Sequence, residues 1–251
     1  MKDQSSVTAF FSKNPASYAD EYARETADGY SFRVRKERVI EMLGHGKGKL
    51  LDIGCGPGVM SREIASLGYT YIGCDISSAM IEEAKIRVPE LEFSVQDATA
   101  VNAPDNSLAA IVAMGLVEYI DDAKTLMEFK RLLVPGGRVF ISIPNWFSPA
   151  RMWDRWILSP ISQMIRLITG KQSKATYHRE YSVSEYKKVL ASHGFTFEKA
   201  VAYNFRILPR PLDYWLPRLS VALSKLLEPL RNSPFAFIAT AYNIEAKKAS
   251  N

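Results

Sequence analysis

Apolar residues change their spacing several times along this 251-residue chain, and each change marks an element. From Ala9 to Leu43 they recur with a helical period, passing Tyr18, Tyr22 and Tyr30 on the way to Val39, Ile40, Met42 and Leu43. Gly44 to Gly48 is a turn into the short apolar run Leu50, Leu51 and Ile53, and Val59 to Leu67 is helical again. Tyr69 to Asp75 predicts a strand, Ser78 to Val88 a helix, and Leu91 to Val95 an alternating strand. Leu108 to Met114 is apolar throughout, the pattern of a strand buried on both faces. A helix capped by Asp121 or Asp122 runs to Leu133, Pro135-Gly136-Gly137 forms a turn, and Arg138 to Pro144 is a fifth strand. Strands alternating with helices in this way predict an α/β fold built on a doubly wound, mostly parallel sheet.

Past Asn145 the alternation is interrupted. In Trp146–Thr169, steps of 100° place Trp153, Trp156, Ile157, Ile161, Met164, Ile165 and Ile168 on one arc. Arg151, Arg155 and Arg166 fall opposite, and Pro160 is set to kink or split the helix. The polar-aromatic cluster Tyr177-His178-Arg179-Glu180-Tyr181 leads to a capped helix, Ser182 to His193, ended by Gly194. Phe195 to Tyr203 is a sixth strand. A second insertion, Arg206 to Asn232, sets Leu216, Leu219, Leu223, Leu226, Leu227 and Leu230 against Arg218 and Lys225. Phe235 to Glu245 is expected to close a seven-stranded sheet, with a charged tail behind it.

Composition narrows the class. At 47% apolar and 24% charged residues the chain reads as one soluble domain with elaborations. The two cysteines, Cys55 and Cys74, offer neither a metal-ligand spacing nor a disulfide framework, so a reducing cytoplasm is expected. No apolar stretch reaches the length of a membrane span, and Met1–Thr8 lacks the apolar core of a signal peptide. The expected location is the cytoplasm, in solution or peripheral at a membrane. The net charge of +5 divides unevenly: +1 over residues 1–48, −5 over 49–144 and +9 over 145–251. A basic C-terminal part points to an anionic partner, whether nucleic acid, a phospholipid surface or an acidic substrate; a solvated basic face is the alternative.

The chemistry concentrates in Asp52-Ile53-Gly54-Cys55-Gly56-Pro57-Gly58, where the first strand meets its helix. A strand, a glycine turn and a helix place a nucleotide-like ligand beyond the strand's carboxyl end. Glycines there let the backbone turn and approach the ligand without a Cβ in the way. The spacing is G-x-G-x-G and not the G-x-G-x-x-G of pyrophosphate binders. Asp75 ends the second strand 21 residues after Gly54, close to the distance at which an acid meets ribose hydroxyls.

With Asp52 ahead of the glycines, D-x-G-x-G-x-G resembles motif I of the class I S-adenosylmethionine-dependent methyltransferases. Asp75-Ile76-Ser77-Ser78-Ala79-Met80 is similar to that family's second motif, and Leu133-Val134-Pro135-Gly136-Gly137 to its turn before the fifth strand. The resemblance runs continuously from Gly46 to Pro144. It implies a Rossmann-like fold over residues 1–251: an N-terminal helical lid (1–48), a cofactor-binding core (49–144), cap insertions with the sixth strand (145–233), and the last strand with its tail (234–251). The implied cofactor is S-adenosyl-L-methionine. Asp52, Gly54, Cys55 and Gly56 would lie beneath it, and Asp75 would accept from the ribose. Ile76 and Met80 would flank the adenine, Asp97 and Ala98 would meet its edge, Met114 would also contact the cofactor, and Gly115 to Ile120 would line the transfer site. Tyr18, Tyr22 and Arg33 are lid candidates. No metal is implied.

The acceptor is expected to be small and hydrophobic or amphipathic: lipid-linked, quinone-like or natural-product-like. Gly115 to Ile120 contains no Asn-Pro-Pro-Tyr or Asp-Pro-Pro-Tyr, the signature of enzymes acting on nucleobase amino groups, which lowers the nucleic-acid reading. A non-catalytic cofactor-binding protein is a further alternative. The amphipathic insertions have three readings: a cap with hydrophobic walls over the acceptor, an interfacial contact with an anionic membrane, or a dimer interface. If the acceptor needs a base, His178 is the candidate, because imidazole titrates near neutrality.

Overall fold

The computed structural model describes residue 8, residues 15–170 and residues 179–249, the Arg166 side chain excepted. Seven strands form one sheet: β1 (Lys49–Ile53), β2 (Thr70–Asp75), β3 (Glu92–Val95), β4 (Leu108–Ala113), β5 (Leu133–Pro144), β6 (Phe195–Tyr203) and β7 (Ala241–Lys248). Their order is β3-β2-β1-β4-β5-β7-β6, with β7 antiparallel to both neighbours and the rest parallel. The chain reverses its direction of travel across the sheet between β1 and β4. That switch point is where an open α/β sheet leaves a crevice at the strand ends.

The central strands bury both faces by simple alternation. Leu51, Ile53 and Ile111 pack on one side with Leu126, Phe129 and Leu132 of the helix Asp122–Leu132, and with Tyr186 and Leu190 of the helix Val183–Ser192. Leu50, Ala110, Val112 and Phe140 pack on the other with Val39, Met42 and Leu43 of the helix Ala27–Leu43. Asp121 accepts from the backbone of Ala123 and Lys124 to start its helix, and Ser182 with Glu185 forms a full capping box.

Two expectations change, and the split expected around Pro160 is found. The N-terminal helical stretch is two helices, Pro15–Glu21 and Ala27–Leu43, because Thr26 caps the second by accepting from Gly29 N–H. A Cβ at Gly29 would lie 2.2 Å from Arg24 O, so the tight turn needs glycine. The last strand starts at Ala241 and not at Phe235: Pro234 opens a 3₁₀ turn to Ile238, and Ser233 caps it through Phe235 N–H. The first insertion is divided into Pro149–Trp153, a π-turn Asp154–Leu158, and Ser159–Thr169. Pro160 stands in the first turn of the last piece, and it lacks the N–H that α-geometry would bond to Trp156 O.

The insertions also face the opposite way from a hydrophobic cap. Trp156 stays 65% exposed, Ile168 77% and Leu226 73%, whereas Arg151 and Arg155 reach inward to Glu180. On Pro217–Leu227 the buried side is small and polar: Ser220, Val221 and Ser224, with Ser224 Oγ donating to Phe205 O at 2.9 Å. Leu227 and Leu230 alone of the leucine arc pack against the main core.

Candidate functional site

β1 runs into the glycine turn, which β2 holds from the side. Gly54 and Cys55 N–H both donate to Cys74 O, at 2.7 and 3.0 Å. Gly54, Gly56 and Gly58 have φ of +72°, +54° and +72°, the left-handed region where a side chain strains the backbone. Gly56 N–H donates to Asp75 Oδ2 at 3.0 Å and Ser77 N–H to Oδ1 at 2.9 Å. Asp75 thus fixes the loop while facing the cavity that the loop encloses. Burial pushes its carboxyl up, and the backbone N–H groups pull it back down. Each oxygen accepts one of these bonds, and a carboxylate oxygen has capacity for another.

The structure gathers Tyr18, Gly54, Cys55, Gly56 and Asp75 around one cavity. Ile76, Met80, Ala98 and Met114 line the same space. Cys55 is buried, and burial drives its thiol well up, which removes thiolate chemistry from the site.

Other expected residues stand elsewhere. Asp52 is buried behind the glycine turn, where Tyr71 Oη donates to its Oδ2 at 2.9 Å; it supports the loop from behind the cavity wall. Burial pushes its carboxyl up to about 7. Asp97 accepts from Thr99 N–H and Oγ1, both at 2.8 Å, a turn-capping role for its Oδ1, while its neighbours Gln96 and Ala98 line the cavity. Arg33 donates to Tyr22 O at 2.9 Å and Arg24 O at 2.7 Å, closing the turn between the first two helices. His178 lies outside the described residues.

Arg35 takes the place expected for Arg33. It lines the cavity, donates to Tyr22 Oη at 3.2 Å and sits 5.1 Å from the Phe32 ring centroid. The signal for it was helical phase: Arg35 precedes the buried Val39 by four residues and Met42 by seven, whereas Arg33 points away. Tyr18 and Tyr22 pack on Phe32 with ring centroids 5.4 and 5.1 Å apart, building an aromatic lid over the glycines.

Tyr18, Arg35, Gly115 and Tyr119 line both this cavity and a neighbouring cleft of about 1300 Å³ bounded by the first insertion and the end of β5. Its wall is charged. Arg151 and Arg155 share Glu180, Arg206 pairs with Asp154, and Arg179 lies 3.4 Å from Asp122. Arg155 stacks on Trp146 at 3.6 Å. At the junction, burial raises Glu118 against the opposing charges of Arg151 and Arg35, and pushes the Tyr18 and Tyr203 hydroxyls up to about 12. Those phenols therefore stay protonated at neutral pH and can donate hydrogen bonds. Among the described residues no group of three or more His, Cys, Asp or Glu side chains is placed to hold a metal ion.

Residues 50–137 of this architecture match the family model described as a methyltransferase domain. The family match, the similar curated methyltransferases and the shared fold support membership of the class I S-adenosylmethionine-dependent methyltransferase superfamily. It is 27% identical over 59% of its length to demethylmenaquinone methyltransferase of Beutenbergia cavernae. It is 29% identical over 62% of its length to ubiquinone biosynthesis O-methyltransferase of Bartonella bacilliformis. The chain spans 64% of the length of each of these curated relatives. Among solved structures, magnesium protoporphyrin IX methyltransferase from Synechocystis PCC 6803 with bound SAH superposes with a TM-score of 0.64 at 14% identity, covering 98% of this chain and all of that one. At that identity the match speaks to the fold alone.

Proposed function

We propose that this chain transfers a methyl group from S-adenosylmethionine to a small amphipathic acceptor with an ionisable oxygen, of the quinone-precursor type. The observation that carries the reading is the boundary that the glycine-lined cavity and the charged cleft share at Tyr18, Arg35, Gly115 and Tyr119. The cavity suits the cofactor: Gly54 and Gly56 keep side chains off its floor, and Asp75 offers carboxylate oxygens to ribose hydroxyls. When bound, S-adenosylmethionine supplies an electrophilic methyl on sulfur. The chain's own task is to hold the acceptor atom in line with it, and such positioning can take roughly 7–11 kcal/mol off the barrier.

Arg35 is suited to that task. Its guanidinium stands at the junction of cavity and cleft, where it would favour the ionised form of a hydroxyl held there. The cleft's charged wall fits the polar ring of such an acceptor better than its tail. The quinone type is supported by the names of the relatives, one a demethylmenaquinone methyltransferase and the other an O-methyltransferase of ubiquinone biosynthesis.

The test is mass spectrometry of the purified chain incubated with isotope-labelled cofactor and short-tailed demethylmenaquinone or hydroxyquinol acceptors. Labelled product, lost on Arg35→Met, is expected. Label entering RNA and no quinol would favour a nucleic-acid methyltransferase using the basic C-terminal part. No label in any acceptor, with normal cofactor binding, would favour a non-catalytic protein.

A further inference from the structure

The first insertion presents two different faces. Inward, Arg151 and Arg155 are fixed on Glu180, and Arg206 on Asp154, so the polar side is pinned to the cleft. Outward, Trp156, Met164, Ile165, Leu167 and Ile168 are exposed. Trp153 Nε1 donates to Arg210 O at 3.0 Å, which brings the exposed Tyr214 and Trp215, one helical turn further on, beside this face.

Charge selects the occupant. Three acids of the insertions turn inward: Asp154 pairs with Arg206, Asp213 with Arg206 and Arg210, and Glu228 with Arg38. Among the described residues Arg218, Lys225 and Arg231 form no ion pair, and residues 145–251 carry +9. A second copy would set two strongly basic segments against each other. Tryptophan and tyrosine beside bare aliphatic side chains suit the headgroup layer of a bilayer, and the unpaired cations of Pro217–Leu227, which packs on Leu212–Trp215, favour an anionic one. No described helix is long and apolar enough to cross a membrane, so the contact would be interfacial.

We infer that the outer face of Pro149–Thr169, with the aromatic turn Leu212–Trp215, docks into the headgroup region of an anionic lipid bilayer. One helix then carries the cleft wall on one side and the membrane on the other. Co-sedimentation of the full chain with phosphatidylcholine vesicles, with and without phosphatidylglycerol, tests this. The chain should bind the anionic vesicles, and more weakly at high salt. The Trp156→Ser/Ile165→Ser/Ile168→Ser variant should lose about tenfold or more in that binding, given the apolar area removed. Its melting temperature and affinity for S-adenosylhomocysteine should stay those of the parent. Arg218→Glu/Lys225→Glu should abolish the preference for phosphatidylglycerol. A parent chain that ignores both vesicles, or a triple variant that binds as well as the parent, overturns the inference. So does a concentration-dependent dimer that the triple variant dissolves without lipid, since that assigns the face to a second copy.

Discussion

Between residues 49 and 144 apolar side chains point into the molecule; between 149 and 227 many point out of it. In the first region Leu51, Ile111 and Phe140 are buried between sheet and helices, and the polar groups that matter, Asp52 and Asp75, are fixed by hydrogen bonds. In the second, arginine–carboxylate pairs face the cleft while Trp156, Ile168 and Leu226 meet solvent. Helical periodicity defines two faces, but it does not say which one the body takes. A core of apolar strands attracts an apolar face. A cleft lined by charge attracts the other.

That contrast can be broken by mutation. Phe140→Ala should cost about 3–5 kcal/mol in denaturant unfolding, the usual loss for a buried aromatic. A smaller loss would mean that the sheet is not packed on this face as described.

Asp75→Ala should weaken S-adenosylhomocysteine by about 1.5–3 kcal/mol, the scale of hydrogen bonds to a charged group. It also frees Gly56 N–H and Ser77 N–H, so the loop loosens together with the ligand. An unchanged dissociation constant would remove Asp75 from the cofactor site.

Asp52 gives a pH signature. Its folded pKa, about 7, lies above the ordinary 3.8, so the folded state holds a proton that the unfolded chain has released. This contribution to stability is full below the ordinary value and is lost as pH rises through about 7, with a slope of up to about 1.4 kcal/mol per pH unit. Asp52→Asn keeps an acceptor for the Tyr71 hydroxyl and removes the slope, so the variant should gain on the parent as pH rises. Parallel stability curves from acid to neutral pH would show that Asp52 does not titrate there.

The smallest effect belongs to the outward face. Trp156→Ala should change stability by no more than about 0.5 kcal/mol, because the ring packs on little of the body. A loss of several kcal/mol would place the indole in a core and erase the contrast.

The strands and the glycine turn were legible because each rests on local chemistry: apolar runs, positive-φ glycines, and an acid at the end of β2. Arg33 misled because a basic run does not by itself disclose helical phase, whereas the phase of Val39 and Met42 singles out Arg35. Asp97 is less legible, because the same side chain that could reach a ligand also closes its own turn through Thr99. The outward insertions were the least legible. Their orientation depends on Glu180 and on the pairing of Asp154 with Arg206, contacts made across 25 to 52 residues of chain.

The central claim is that the glycine turn, Asp75 and the aromatic lid form a site for S-adenosylmethionine. Calorimetric titration of the whole chain with S-adenosylhomocysteine, and separately with NADH, tests it most directly. The account predicts saturable binding of S-adenosylhomocysteine at one site per chain and none of NADH. Tight binding of NADH, with no heat from S-adenosylhomocysteine, would contradict it.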